Sequence, residues 1–478
     1  MNKAIALVIV CVVVGGLALT GFTTTTSTVE ASGPDTGQDQ CYDLQGNQIP
    51  CPEPGEALFG QDANYVSAAP AYRDNGDGTI SDLNTGLMWT QAYSGKMTWT
   101  EAMAGADSFE LAGYDDWRMP TIKELYSLID FNGLTGMEAA SSIPYIDTDY
   151  FEFVFGDTSA GERLIDAQYW SSTEYVSTTM NGNHTVFGVN FADGRIKGYG
   201  TSNPRGEEMT QFVRYVRGPV GYGANDFVDN GDGTITDNST GLMWMQADSG
   251  TALDWAGALD YCENLSFAGY DDWRLPDAKE LQYIVDYTRS PDTTGSAAID
   301  PLFSATPITD EGGATNYAFY WTGTTHLDGR FPGDRAVYVA FGEALGHMSA
   351  PNSSDLTLMD VHGAGAQRSD MKSGDPDSVP VGFGPQGDVQ RILNFARCVR
   401  GGEVTIFTGG EIDANWNTTR VQEGGPPADG AGFGQAQQGQ MPSDGQVPQG
   451  GPGQGGQPPQ GGGPPQGGPG NGNPPPRQ

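Results

Sequence analysis

The stretch Gly113-Tyr-Asp-Asp-Trp-Arg-Met-Pro-Thr-Ile-Lys-Glu-Leu125 is written a second time as Gly269-Tyr-Asp-Asp-Trp-Arg-Leu-Pro-Asp-Ala-Lys-Glu-Leu281. A chain that spells so irregular a segment twice must build the same local structure twice. Each copy reads as a loop, a Trp-Arg anchor, a proline that ends an extended segment, and a helix start. Thr121 and Asp277 are N-cap types, each followed three residues later by a glutamate, Glu124 and Glu280, which is the capping-box spacing. Behind the cap, Ile122, Leu125 and Ile129 share one helical face, as do Ala278, Leu281, Ile284 and Val285. Trp117 and Trp273 then read as core plugs. Arg118 and Arg274 are expected to hold the acidic loop residues Asp115, Asp116, Asp271 and Asp272 by charge-assisted hydrogen bonds. Buried Trp beside a paired Arg is ordinary scaffolding, so the motif is read as structural before it is read as a ligand site.

The repetition extends in both directions. Asp74-Asn-Gly-Asp-Gly-Thr-Ile returns at 229–235, and Thr85-Gly-Leu-Met-Trp89 returns as Thr240-Gly-Leu-Met-Trp244. Trp99 and Trp255, Tyr169-Trp170 and Tyr320-Trp321, and Arg214-Tyr-Val-Arg-Gly and Arg397-Cys-Val-Arg-Gly complete the series. The body is therefore two homologous modules, 71–219 and 224–402, each large enough for its own core. Within a module the helical patterns at Trp99 or Trp255 and at Glu124 or Glu280 come first. Alternating strand patterns follow, such as Thr185-Val-Phe-Gly-Val-Asn-Phe and Ala336-Val-Tyr-Val-Ala-Phe. Helices before strands is an α+β order, here two helices and a small, mostly antiparallel sheet with long loops. The Asn-Gly and Asp-Gly pairs at 75–78 and 230–233 are hairpin-turn signals. Module two carries an extra Gly/Ser/Asp-rich segment at 343–388, and long loops are where binding concentrates.

Cysteine usage sharpens the comparison. Cys262 falls opposite Ala106 and Cys398 opposite Tyr215, so both cysteines are missing together from module one. That joint absence is what a bonded pair predicts. Cys41 and Cys51 bracket a Gly46-Asn47 turn signal in a leader at 32–70, and read as a clasped hairpin. Two disulfides suit an exported chain. Residues 1–31 agree, with a basic n-region, an apolar run from Ala4 to Leu19 and a tolerable cleavage site after Ala31; an uncleaved signal anchor would be the only membrane contact. After a short β-prone segment at 403–423, residues 424–478 are Gly, Pro and Gln with almost no large apolar side chain, and are expected to be disordered.

Charge restricts the partners. With 60 acidic against 23 basic residues the formal net charge is −37, a field that repels nucleic acid and anionic lipid. No nucleic-acid partner is expected.

The ordered set Asp-Asn-Gly-Asp-Gly-Thr, Thr-Gly-Leu-Met-Trp, Gly-Tyr-Asp-Asp-Trp-Arg-Leu-Pro, Lys-Glu-Leu, Tyr-Trp-Ser-Ser-Thr and Arg-Cys-Val-Arg-Gly-Gly resembles the Lcl C-terminal domain family. That family takes its name from the C-terminal domain of a bacterial collagen-like adhesin. The resemblance spans most of residues 60–402. It implies a C-type-lectin-like fold, more distantly like the sulfatase-modifying-factor domains, and a surface or extracellular binding role. In the named adhesin that role is directed toward sulfated polysaccharide. This chain departs from the adhesin in having a low-complexity region that is C-terminal and not collagen-like.

Chemistry-bearing patterns are sparse. Arg73 and Val228 occupy the first ligand position of a calcium loop, and no Glu closes it. His184, His326, His347 and His362 show no paired metal spacing. The serines of Tyr169-Trp-Ser-Ser-Thr173 lack a nucleophile elbow. The expectation is a non-enzymatic protein without cofactor or metal, binding an extracellular glycan or protein surface, with a homo-oligomer allowed. A structural envelope component assembling through its modules is the alternative, and an enzyme acting on extracellular polymer a more distant one. Since the copies agree at the helix starts and diverge around the later strands, the binding residues are expected at Trp321, Thr322, Thr324, His326 and the 343–388 loop. Trp170, Ser172 and Glu174 are their counterparts in module one.

Overall fold

The structure is a computed structural model and describes residues 35–203, 205–329, 331–349, 355–384, 386–413 and 416. The segments expected to be a signal (1–31) and a disordered tail (424–478) lie outside the described residues.

The two repeats are joined into one sheet. In repeat one the strands are β1 (Ser94–Thr98), β2 (Gln168–Thr179), β3 (Asn183–Asn190), β4 (Arg195–Gly200) and β5 (Thr210–Val213). In repeat two they are β6 (Phe319–His326), β7 (Arg335–Ala340) and β8 (Gln367–Met371). Their order across the sheet is β6-β7-β8-β4-β3-β2-β5-β1, so β8 and β4 are the seam. They pair antiparallel through Ile196 and Gln367. Isolated bridges Tyr320–Phe395 and Leu253–Asn394 extend repeat two as β5 and β1 extend repeat one. The halves are thus related by an approximate two-fold at the seam. Each repeat adds a small four-stranded sheet: Tyr72–Asp74, Thr79–Asp82, Met88–Thr90 and Val216–Arg217 in the first, Phe227–Asp229, Thr234–Asp237, Leu242–Met245 and Val399–Arg400 in the second. The turns between the first two strands of each are the Asp-Asn-Gly-Asp-Gly segments, where Asp77 and Asp232 accept the N–H and hydroxyl of Thr79 and Thr234.

Each of the four main helices starts at a side chain that caps its first turn. α1 (Trp99–Ala106) starts at Thr98 and α2 (Ile122–Tyr126) at Thr121; α3 (Trp255–Glu263) starts at Asp254 and α4 (Ala278–Tyr283) at Asp277. Both predicted capping boxes form, with Thr121 accepting from Glu124 N and Glu124 accepting from Thr121 N, and Asp277 and Glu280 repeating the exchange. One apolar core runs through both repeats, from Ile122, Leu125 and Phe187 to Leu281, Val337 and Phe341. Each repeat also has a private core. That of repeat one centres on Trp117, Trp170 and Tyr215; that of repeat two on Trp273, Trp321 and the Cys262–Cys398 pair.

Both predicted disulfides are present, Cys41–Cys51 and Cys262–Cys398. The second ties α3 to the closing strand. In repeat one Tyr215, at the position of Cys398, donates its hydroxyl to Ala102 O in α1 at 3.0 Å. A hydrogen bond there stands in for the covalent link.

Three expectations are corrected. Arg118 and Arg274 do not hold the acidic loop: each makes a two-pronged pair with its own capping glutamate, Glu124 or Glu280, at 2.5–2.7 Å. The loop carboxylates Asp116 and Asp272 are held instead by Arg217 and Arg400. The 343–388 segment is not one loop. It contains a hairpin, Leu345–Ser349 with Leu356–Asp360, and the sheet strand β8 itself. Finally, the repeats do not keep separate cores, since the main core is shared.

Candidate functional site

The lysine of the repeated Lys-Glu-Leu adds a second link between the repeats, beside the β4–β8 seam. On α2, Lys123 Nζ donates to Tyr283 O at 2.6 Å, and on α4, Lys279 Nζ donates to Ser127 O at 3.0 Å. Ser127 and Tyr283 are themselves repeat counterparts, so each helix start reaches across the two-fold to the end of the other helix. A lysine at this capping-box position is needed in both copies for a reason one copy alone cannot reveal. Lys123 also donates to Gly223 O and Asn225 Oδ1, and Lys279 to Asp35 O.

Beyond that shared frame the two helix starts differ. At α4 the leader packs over the surface. Gln38 bonds the backbone of Thr325 through both ends of its amide, and Tyr65 lies over Arg274. Asp62 reaches the helix start itself, where its carboxylate accepts the hydroxyls of Thr324 at 2.5 Å and Thr36 at 2.8 Å. The closing strand Thr405–Ile406 pairs with Tyr65–Val66, and Cys51 pairs with Gly409, so the leader is pinned from its far side. Burial pushes the Asp62 carboxyl up to about 7, with the charge of Asp35 adding to the shift.

At α2 none of the described residues forms such a cover. A cavity of about 420 Å³ opens there, lined by Thr121, Lys123, Thr173, Tyr222, Asn225 and Tyr287 among others. Its volume lies in the range of small-ligand and peptide-side-chain sites. The difference shows on the arginines: the Arg118 side chain is 26% exposed and that of Arg274 only 4%. Burial lowers the Lys123 ammonium to about 8, while Asp237 and Asp286 act in the opposite direction. A second cavity of about 330 Å³ lies in the extra segments of repeat two, among His347, Val381, Arg391 and Leu393. Arg391 there makes a two-pronged pair with Glu311.

The residues expected to bind are not together at either cavity. Trp321, Thr322, Thr324, His326 and Trp170 are fully buried. Trp170 donates its indole N–H to Met97 O and Trp321 to Leu253 O, the same bond in both copies. His326 sits between Ser369 Oγ and Asp193 O, and burial drives its imidazole down to about 3. Their place is the core, because a large ligand cannot touch atoms with no exposed surface. Ser172 is half-buried, and exposed Glu174 pairs with His184 at 2.8 Å. The structural residues Trp117 and Trp273 are buried.

Sequence reasoning missed Thr173, Lys123, Asn225 and Tyr222. The available signal was the alignment of Thr173 with Thr324 and of Thr121 with Asp277, but nothing in it shows that the leader covers one site and not the other. Arg214 and Arg397 were also unassigned. Both are buried carbonyl clamps, Arg214 on Thr90, Gln91 and Glu152, Arg397 on Met245, Gln246 and Ser304. Among the described residues no group of three or more His, Cys, Asp or Glu could hold a metal ion. None of their helices is long and apolar enough to cross a membrane.

No curated protein and no solved structure matches the chain. The family model of the Lcl C-terminal domain matches residues 78–217 and again residues 233–359, together more than half of the chain. With the motifs and the duplicated fold, this shows that the chain belongs to the Lcl C-terminal domain family, in two tandem copies.

Proposed function

We propose that the protein is an exported, non-enzymatic recognition protein, an adhesin-type factor that holds an extracellular ligand at the helix start of repeat one. One observation carries this reading. The same shelf exists twice, and in repeat two the chain's own leader fills it, whereas in repeat one it opens as a cavity. Membership of the Lcl C-terminal domain family supports a binding role outside the cell, and two disulfides suit an oxidising compartment. The C-type-lectin-like kinship implied by the motifs points the same way.

The assembly reading loses ground because one sheet edge of each repeat is already paired with the other repeat inside the chain. An enzymatic reading finds no reacting centre among the described residues. The Ser369–His326 pair is buried, and the far nitrogen of His326 meets a carbonyl rather than a carboxylate.

The test is to fill the cavity from its exposed rim. Ala224→Trp should lower attachment of the full protein to its source cells by roughly tenfold or more, as loss of a pocket anchor does elsewhere, with the melting temperature unchanged. Unchanged attachment would sink the reading. Deleting the Leu345–Asp360 hairpin serves as the comparison, and is expected to matter less.

A further inference from the structure

The contents of the filled shelf indicate what the open one accepts. Thr324 and Thr173 are repeat counterparts held in the same way: Ala278 N donates to Thr324 Oγ1 and Ile122 N to Thr173 Oγ1, both at 3.0 Å. This fixes each hydroxyl as an acceptor from the helix and leaves its proton for another partner. In repeat two that partner is the carboxylate of Asp62. In repeat one no described residue accepts it, and Thr173 lines the cavity.

We infer that the repeat-one cavity receives an aspartate or glutamate side chain from a peptide segment of a partner protein, in the place that Asp62 holds in repeat two. This rests on the reading of the cavity as the recognition site and adds the chemistry of its ligand.

Three replacements between the repeats fit a carboxylate arriving from outside. Thr121 stands where repeat two has Asp277, a buried carboxylate whose affinity for a proton is raised by burial and by the charges of Glu280 and Asp62. Gly223 offers its carbonyl to Lys123 as Asp35 does to Lys279, without the acidic side chain that repels Asp62. An incoming carboxylate in repeat one therefore meets neither of these two charges. Of the carboxylates that do line the cavity, Asp286 is engaged by Thr288 N and Oγ1, and Asp300 by Leu302 N. Glu124 is neutralised by Arg118. Lys123 supplies a cation whose hydrogen bonds all go to neutral oxygens.

The third replacement concerns which peptide fits. Gly323 lies under the leader, where an added Cβ would come within 3.0 Å of Asp62 N and 3.2 Å of Gly60 O. Repeat one has Ser172 at this position. The side chain holds an arriving backbone slightly further out than the leader sits, so a peptide of the leader's own sequence enters in a shifted pose and more weakly than it would beside a glycine. The partner presents its carboxylate from a segment that stands off by a few tenths of an ångström or more.

The probe is a fluorescent peptide with the sequence of residues 58–66, titrated into the full protein by anisotropy. It carries the aspartate of the filled site, and its Asp62→Asn form is the control. The acidic peptide should bind saturably and the control at least tenfold more weakly. Thr173→Val should weaken the acidic peptide at least tenfold, Thr173→Ser should restore it, and Ser172→Gly should tighten it. Added salt should strengthen binding, since the net charge of −37 repels the peptide at long range. Equal binding of the two peptides, no binding, or indifference to Thr173→Val overturns the inference. Binding of a uronate oligosaccharide with Thr173 dependence, but of neither peptide, also overturns it and leaves the cavity a glycan site. If Ala224→Trp in addition leaves cell attachment intact, the recognition reading itself falls.

Discussion

Repeat one and repeat two place the same motif on the same scaffold and finish it differently. In repeat two a disulfide closes the private core, the leader seals the helix start, and extra hairpin structure flanks β8. In repeat one a tyrosine hydroxyl replaces the disulfide and the helix start stays open. The half with more covalent and packing restraint is thus the half whose site is occupied. Restraint and availability have been divided between the copies.

The largest effect is expected at the disulfide. Cys262→Ser with Cys398→Ser should cost about 2–5 kcal/mol, the usual range for a native bridge, against about 1 kcal/mol for Tyr215→Phe in repeat one. Two modules with separate cores would confine that loss to repeat two. Because one core and one sheet run through both repeats, a single unfolding transition is now expected. Two separated calorimetric transitions would restore the picture of independent modules.

The lysine links come next. Lys123→Met and Lys279→Met each strand buried carbonyls and should cost about 1–3 kcal/mol. Only Lys279→Met should also speed hydrogen exchange in residues 35–38, because Lys279 alone holds the leader through Asp35 O. Equal effects of both variants on the leader would break the asymmetry.

The third test is pH. Asp62 rises from 3.8 to about 7 on folding, so its folded form prefers the proton. The stabilisation is complete below the unfolded value near 3.8 and is lost as pH climbs through about 7. Leader opening, read by hydrogen exchange, should grow roughly tenfold or more across that window, and Asp62→Asn should flatten the rise. Buried His362, pushed down to about 4, works in the opposite sense: its contribution is present above its ordinary value and fades in acid. A leader whose protection increases with pH would contradict the assignment to Asp62.

The smallest effect is at the caps. Thr121→Ala should cost about 1 kcal/mol. Asp277→Ala should cost less than that, because losing the cap also removes a carboxylate crowded by Glu280 and Asp62. A larger loss at Asp277 in urea denaturation would mean that the crowding is harmless.

Local features were legible in the sequence because their causes are local. Capping boxes depend on residues three apart, Asp-Gly turns on neighbours, and the Cys262–Cys398 bond left its mark as a joint absence. The seam was not legible, because an antiparallel join through Ile196 and Gln367 has no spacing that distinguishes it from a free edge. Nor was the site. Trp170 and Trp321 looked like candidates because aromatic residues near variable loops often bind, yet their indoles are tied to carbonyls inside the core. The open cavity is defined by what does not cover it. That is a property of the leader's path rather than of any residue in the cavity.

The two-fold seam has one more consequence. In a dimer of identical chains, any mutation that plugs one site plugs its twin, and any segment that grows over one face grows over both. Joining the two copies in one polypeptide removes that obligation. On the proposed reading, Asp277 and Gly323 can suit a resident segment while Thr121 and Ser172 suit a visitor, and neither choice compromises the other. Duplication here supplies freedom to diverge rather than extra avidity, and a ligand-to-protein stoichiometry of one is its measurable signature.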